Sequence, residues 1–335
     1  MEELLEKVTS LSEIKKIIED ALRKIKKEGD LNRVYCLACG GSFACFYPME
    51  YFLKNEAKTF SVSSITANEF VRKTPKAVDS NTIVFCMSLG GETKETVDAA
   101  KKAKETGATV VALSGSHKST LAKVSDFDLA YKIDIDNPAD EQNQFMALAL
   151  AIELLNQTEG YEHYAKAIEG LEKIRLVCDK AIEKLRPICE EFGQERKDEP
   201  VIYTIASGPS SSVAYMQSIC LFMEMEWVHS AAIHSAEYFH GPFEITENQV
   251  PFMIFISDGP TRTLDKRALD FLNQFSAKVT VIDAKELGIN IIDDTVVEYF
   301  NPILHWQAGI TYAQGLAKAK KHPLMQRRYM GKLIY

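Results

Sequence analysis

The chain repeats itself. Val34, Tyr35, Cys36, Leu37, Ala38, Cys39, Gly40, Gly41 and Ser42 match Ile202, Tyr203, Thr204, Ile205, Ala206, Ser207, Gly208, Pro209 and Ser210 at an offset of 168 residues. Further along, Ser88, Gly90 and Val110 fall on Ser257, Gly259 and Val279 at an offset of 169. A nearly constant offset over roughly eighty residues argues for duplication of a whole domain rather than a general likeness between two sheets.

Each copy alternates short apolar runs with helical patterns. Strand-like runs stand at residues 34–38, 83–87 and 110–113, and helix-like stretches at 92–105 and 140–156. Such alternation predicts an α/β fold with a parallel sheet wrapped by helices. Ahead of the first copy, Leu11, Ile14, Ile18, Leu22 and Ile25 mark a helix that starts near Ser12 and Glu13. Between the copies a charged helical stretch runs over about 161–193, with Pro187 as its only strong breaker. The expected organisation is a first domain over 28–160, a linking helix over 161–195, a second domain over 196–320 and a tail over 321–335.

Charge and cysteine usage narrow the function classes. The 335 residues carry a formal net charge of −8 and no long basic run, so nucleic acid and anionic membranes are poor partners. No apolar run approaches the roughly 18 residues of a membrane span, and the acidic start Met1, Glu2, Glu3 has no signal-peptide pattern, so a cytoplasmic protein is expected. Of seven cysteines, Cys36 and Cys39 spell C-x-x-C. They sit in one apolar strand-like run, where residues three apart face opposite sides, so core thiols are expected rather than a zinc or redox pair.

Two loops of the first copy follow strands and open helices: Cys39, Gly40, Gly41, Ser42, and Ser88, Leu89, Gly90, Gly91, Glu92, Thr93. Glycine admits a ligand close to the backbone, and a helix start offers unpaired N–H groups, which together suit a phosphate. Ser42, Ser88 and Thr93 add hydroxyl donors. Turn and cap chemistry alone would explain either loop, and neither carries a dinucleotide or P-loop fingerprint. The second copy has Asp258 and Pro260 in the matching loop, a negative charge and a missing donor, so phosphate binding is expected in the first copy only.

Titratable groups gather in the second copy. Glu224 ends an apolar helical run, where partial desolvation would raise its pKa and suit a general base, although a solvent-facing Glu is the commoner case. His234, Glu237 and His240 recur at spacings of three, but Gly241 and Pro242 follow at once, and a metal site is not expected.

The two Gly-Ser loops, the segment Phe222 to Trp227, the run Ile233 to Pro242 and the tail Arg327, Arg328, Tyr329, Met330 resemble chains with two sugar isomerase (SIS) domains. These include the isomerase half of glucosamine-6-phosphate synthase and, more closely, bacterial fructosamine 6-phosphate deglycases. The resemblance implies two tandem flavodoxin-like domains, each a parallel sheet with helices on both faces. It implies phosphate or substrate contacts at Gly41, Ser42, Ser88, Gly90 and Thr93, with Gly90 standing where the synthase has Ser. It puts the catalytic Glu on Glu224 and the catalytic His on His240, and a tail Lys near Lys332. It implies a homodimer in which the His can come from the neighbouring chain, and a reaction that needs no cofactor and no metal. The synthase itself is not expected, since Glu2 stands where its glutaminase domain has Cys.

The expected activity is cleavage of a fructose–amino acid 6-phosphate to glucose 6-phosphate and free amino acid through an enaminol. An aldose–ketose phosphosugar isomerase and a non-catalytic sugar-phosphate sensor are the alternatives. The site is expected to draw its phosphate donors from one copy and its acid–base groups from the other.

Overall fold

The computed structural model describes residues 7–27, 29–132, 134–275 and 278–333. The chain divides into two compact units, the first ending at Leu171 and the second beginning at Glu172.

The first unit opens with α1 (Leu11–Ile25), which buries Ile14, Ile18, Leu22 and Ile25 on one face. Its cap is Ser10, two residues before the start read from sequence: the Ser10 hydroxyl accepts the Glu13 N–H and the Glu13 carboxylate accepts the Ser10 N–H. Next come β1 (Arg33–Ala38), α2 (Gly40–Cys45), α3 (Tyr47–Glu56), β2 (Ser61–Thr66) and α4 (Ala67–Arg72). They are followed by β3 (Thr82–Met87), α5 (Lys94–Glu105), β4 (Thr109–Ser114), α6 (Thr120–Val124), β5 (Phe127–Ala130) and α7 (Asn143–Glu159). The strands form one parallel sheet in the order β2-β1-β3-β4-β5. Every residue of β3 and β4 is buried, which is why these strands read as unbroken apolar runs. Tyr35, Leu37, Val84, Cys86, Val110 and Ala112 pack with Phe70 of α4 and Val97 of α5 on one face. The Cys36 thiol points the other way and meets the Met49 sulfur of α3 at 3.6 Å. Cys39 packs on the α4–α5 side, so the two thiols lie on opposite faces as the strand spacing required.

A single helix, α8 (Tyr164–Arg196), runs across the division between the units and passes through Pro187 without ending. The second unit continues with β6 (Tyr203–Ala206), α9 (Ser211–Met216), β7 (Ala232–His234), β8 (Pro251–Ile256), α10 (Arg262–Gln274), β9 (Lys278–Asp283) and α11 (Asn301–Lys320). Its parallel sheet has the order β7-β6-β8-β9. That is the order of the first sheet without the fifth strand. The two units agree in backbone detail as well: Gly40 and Gly208, 168 apart, both take φ of +54° at the turn after the first strand. Beyond Met216 the helix widens into ten residues of π-helix, Gln217–Glu226.

Candidate functional site

In both units the strand order reverses direction beside the first strand, and ligands of such sheets sit at the carboxyl ends of the strands flanking that point. In the first unit these are β1 and β3, and the loops that follow them are the two Gly-Ser loops. After β3, the Ser88 and Thr93 hydroxyls lie 2.9 Å apart, and the Thr93 N–H donates to Ser88 Oγ at 3.4 Å. Thr93 precedes α5 without capping it, which leaves the helix's first N–H groups available to an anion. Gly91 is held with φ of +70°, where a Cβ would lie 2.3 Å from Ser119 Cβ, so no other residue fits there. Gly90 is exposed with open space around it, Gly41 and Ser42 are half-buried at the start of α2, and Thr93 is exposed.

The matching place in the second unit is already filled. Asp265, from the first turn of α10, is fully buried and accepts bonds from Ser207 Oγ at 2.6 Å, Ser235 Oγ at 2.6 Å and the Ser257 N–H at 3.2 Å. Burial raises its pKa against the pull of those donors. At an offset of 169 its counterpart is Thr96, which faces Cys39, the counterpart of Ser207. The sequence reading assigned the blocking charge to Asp258. That residue instead pairs with Lys285 at 3.0 Å while its N–H donates to Asn301, and the carboxylate that occupies the donors is Asp265.

Glu224 and Glu226 lie on the π-helix. A helix with i to i+5 bonding is uncommon beyond a single turn and concentrates at functional sites. Here it ends on Trp227, a bulky residue at φ of 57°, in the left-handed region. The strained turn is held by its surroundings: the Trp227 ring meets the His322 ring at 4.3 Å and the Arg328 guanidinium at 4.1 Å. A cleft of about 650 Å³ opens beside it, lined by Glu224, Trp227, His229, Arg327 and Arg328 among others. Within it Glu224 accepts a charge-assisted bond from Arg327 Nε at 2.7 Å. The carboxyl that burial raises in this helix is Glu226, pushed up to about 7.

His240 does not line that cleft. It stands exposed on the turn after β7, next to Gly241 at φ of 132°. Tyr238 is fully buried beneath the same turn, and Phe239 packs with Phe243 and Phe271 under Arg267. The aromatic anchors hold the turn while Glu237 and His240 face outward. His234, Glu237 and His240 do not converge, and among the described residues no three His, Cys, Asp or Glu side chains could hold a metal ion. Lys332 is exposed and its amine donates to the Arg327 carbonyl oxygen. The groups that sequence reasoning left without a role are His229 and Arg327. The Arg-Arg-Tyr-Met tail is the signal for Arg327, and His229 lies in the run of titratable groups that follows Glu224.

Each unit is a parallel α/β sheet with a switch point beside its first strand, and the first unit keeps its glycine–hydroxyl loops open there. The model of the SIS domain matches residues 30–158. Fructosamine deglycase FrlB of Bacillus subtilis (strain 168) is 37% identical over 305 residues, covering 91% of this chain and 93% of that protein. The chain belongs to the SIS-domain family. Fructoselysine 6-phosphate deglycase of Escherichia coli (strain K12) is 25% identical over 95% of this chain and 89% of its own length. A crystal structure from Salmonella typhimurium LT2, assigned to the phosphosugar isomerases, superposes with a TM-score of 0.94 at 40% identity over the whole of both chains. No helix among the described residues is long and apolar enough to cross a membrane.

Proposed function

We propose that this protein is a fructosamine 6-phosphate deglycase: it cleaves a fructose–amino acid 6-phosphate to glucose 6-phosphate and the free amino acid. The observation that carries this reading is the kinship over nine-tenths of the chain with a fructosamine deglycase, joined to a carboxylate, Glu224, set in a cleft of its own unit. Ser42, Ser88, Thr93 and the backbone at Gly41 and Gly90 hold the phosphate, with Lys332 as a further contact. His240, in its own or a neighbouring chain of a homodimer, moves the proton that opens the sugar ring.

Glu224 then takes a proton from C1. The electrons of that C–H bond form a C1–C2 double bond as the C2 carbonyl oxygen gains a proton, giving the enaminol. Return of the proton to C2 leaves an imine at C1. Water adds to the imine, the C–N bond breaks, and glucose 6-phosphate and the amine separate. All of this is proton transfer and hydrolysis in the cytoplasm, within the reach of one carboxylate and one imidazole. Positioned acid–base groups typically contribute about 10²–10⁴-fold, so Glu224→Gln should lose turnover by that order while still binding substrate. Release of glucose 6-phosphate from a panel of fructosamine 6-phosphates, with fructose 6-phosphate as the isomerase control, tests the reading.

A further inference from the structure

We propose that Arg327, delivered by the C-terminal tail, is a positioning residue for Glu224. The proposal rests on Glu224 being the general base. Arg327 Nε donates to Oε1 of Glu224 at 2.7 Å, with side chains 14% and 27% exposed. The bond engages Oε1, and Oε2 remains to accept the substrate proton.

A Glu side chain has three rotatable bonds, and a general base must stand within hydrogen-bond reach of one particular proton. Arg327 can fix that geometry because it is itself fixed. Its NH1 donates to the Leu324 and Gln326 carbonyls at 3.0 and 3.3 Å, and Lys332 donates to its carbonyl oxygen. The tail around it is pinned to the same short stretch of chain that bears Glu224. His322 Nε2 meets the Met225 carbonyl at 2.9 Å, the His322 ring meets Trp227, and Arg328 covers Trp227. All four tail contacts fall on residues 224–227. A stretch that served only to tie down the C-terminus would have no cause to spend its one partly buried guanidinium on this carboxylate.

The test is the kinetics of Arg327→Ala and Arg327→Lys on a fructosamine 6-phosphate that the wild type turns over. A misplaced base costs turnover rather than binding, and a 1 Å displacement is enough for about 10²-fold. Arg327→Ala should lose kcat by about that factor with KM changed less than about threefold, Arg327→Lys should fall between, and added guanidinium ion should restore at least about tenfold. A folded Arg327→Ala whose kcat stays within about threefold of wild type, or whose loss guanidinium does not relieve, overturns the proposal. Should Arg327→Ala not fold, Arg327→Lys alone decides by the same split between kcat and KM. A wild type inert toward every fructosamine 6-phosphate fails the deglycase reading instead. The positioning claim then stands on crystal structures: a displaced or disordered Glu224 side chain in Arg327→Lys supports it, and an unmoved one overturns it.

Discussion

Replacing Glu226 by Gln should stabilise the protein by an amount that grows with pH. The Glu226 side chain is fully buried, neither carboxyl oxygen has a hydrogen-bond partner among the described residues, and Lys320 Nζ stands 3.5 Å from Oε2. Burial, opposed by Lys320, pushes its pKa from 4.5 to about 7. A carboxyl whose folded pKa is raised binds more protons in the folded chain than in the unfolded chain between those two values. Its contribution is therefore lost as pH climbs from 4.5 to about 7 and stays lost above. The gap corresponds to about 3 kcal/mol by pH 8 and to about 1 kcal/mol at pH 5. Gln keeps the shape and cannot ionise, so any cost of its own unpaired amide is the same at both pH values. The stability difference between variant and wild type should thus grow by about 2 kcal/mol in favour of Gln between pH 5 and pH 8. Urea unfolding followed by tryptophan fluorescence measures it in the relevant unit, because both tryptophans, Trp227 and Trp306, lie there. A difference that stays constant within about 0.5 kcal/mol across that range would refute the assignment of a buried, reluctantly ionised carboxyl.

Two further outcomes follow from the geometry. Ser88→Ala with Thr93→Val removes the paired hydroxyls of the loop after β3 and should raise KM for a sugar phosphate by about tenfold, with a smaller change in kcat; isothermal titration with inorganic phosphate should show the same weakening. Gly193→Ala would set a Cβ 2.2 Å from the Gly315 carbonyl oxygen where α8 and α11 meet, and should cost about 3 kcal/mol in urea unfolding.

The parts of the fold that were legible in the sequence are those buried on both faces. β1, β3 and β4 read as apolar runs because helices cover both sides of the sheet. The edge strand β2, Ser-Val-Ser-Ser-Ile-Thr, is partly exposed, and β7 has three residues, so neither shows the pattern a buried strand imposes. The likeness of the two units was legible because Gly40 and Gly208 make the same turn after the first strand of each sheet. The carboxylate that fills the switch point of the second unit is Asp265 of α10, not Asp258. Asp258 and Asp265 are both acidic, and only the packing of α10 decides which carboxylate reaches Ser207 and Ser257. The Glu224–Arg327 pair joins residues 103 apart, a separation at which no local spacing rule operates. The raised carboxyl fell on Glu226 because helix phase, not apolar neighbours in sequence, sets which side chain faces the interior.

The central claim is that Glu224 moves the proton that releases the amine. Its most direct test is glucose 6-phosphate release from a fructosamine 6-phosphate by the wild type and by Glu224→Gln, with folding of the variant checked by circular dichroism. The account predicts turnover by the wild type and a loss of about 10²–10⁴-fold in the variant, with substrate still bound. A folded Glu224→Gln that releases glucose 6-phosphate at the wild-type rate would contradict it.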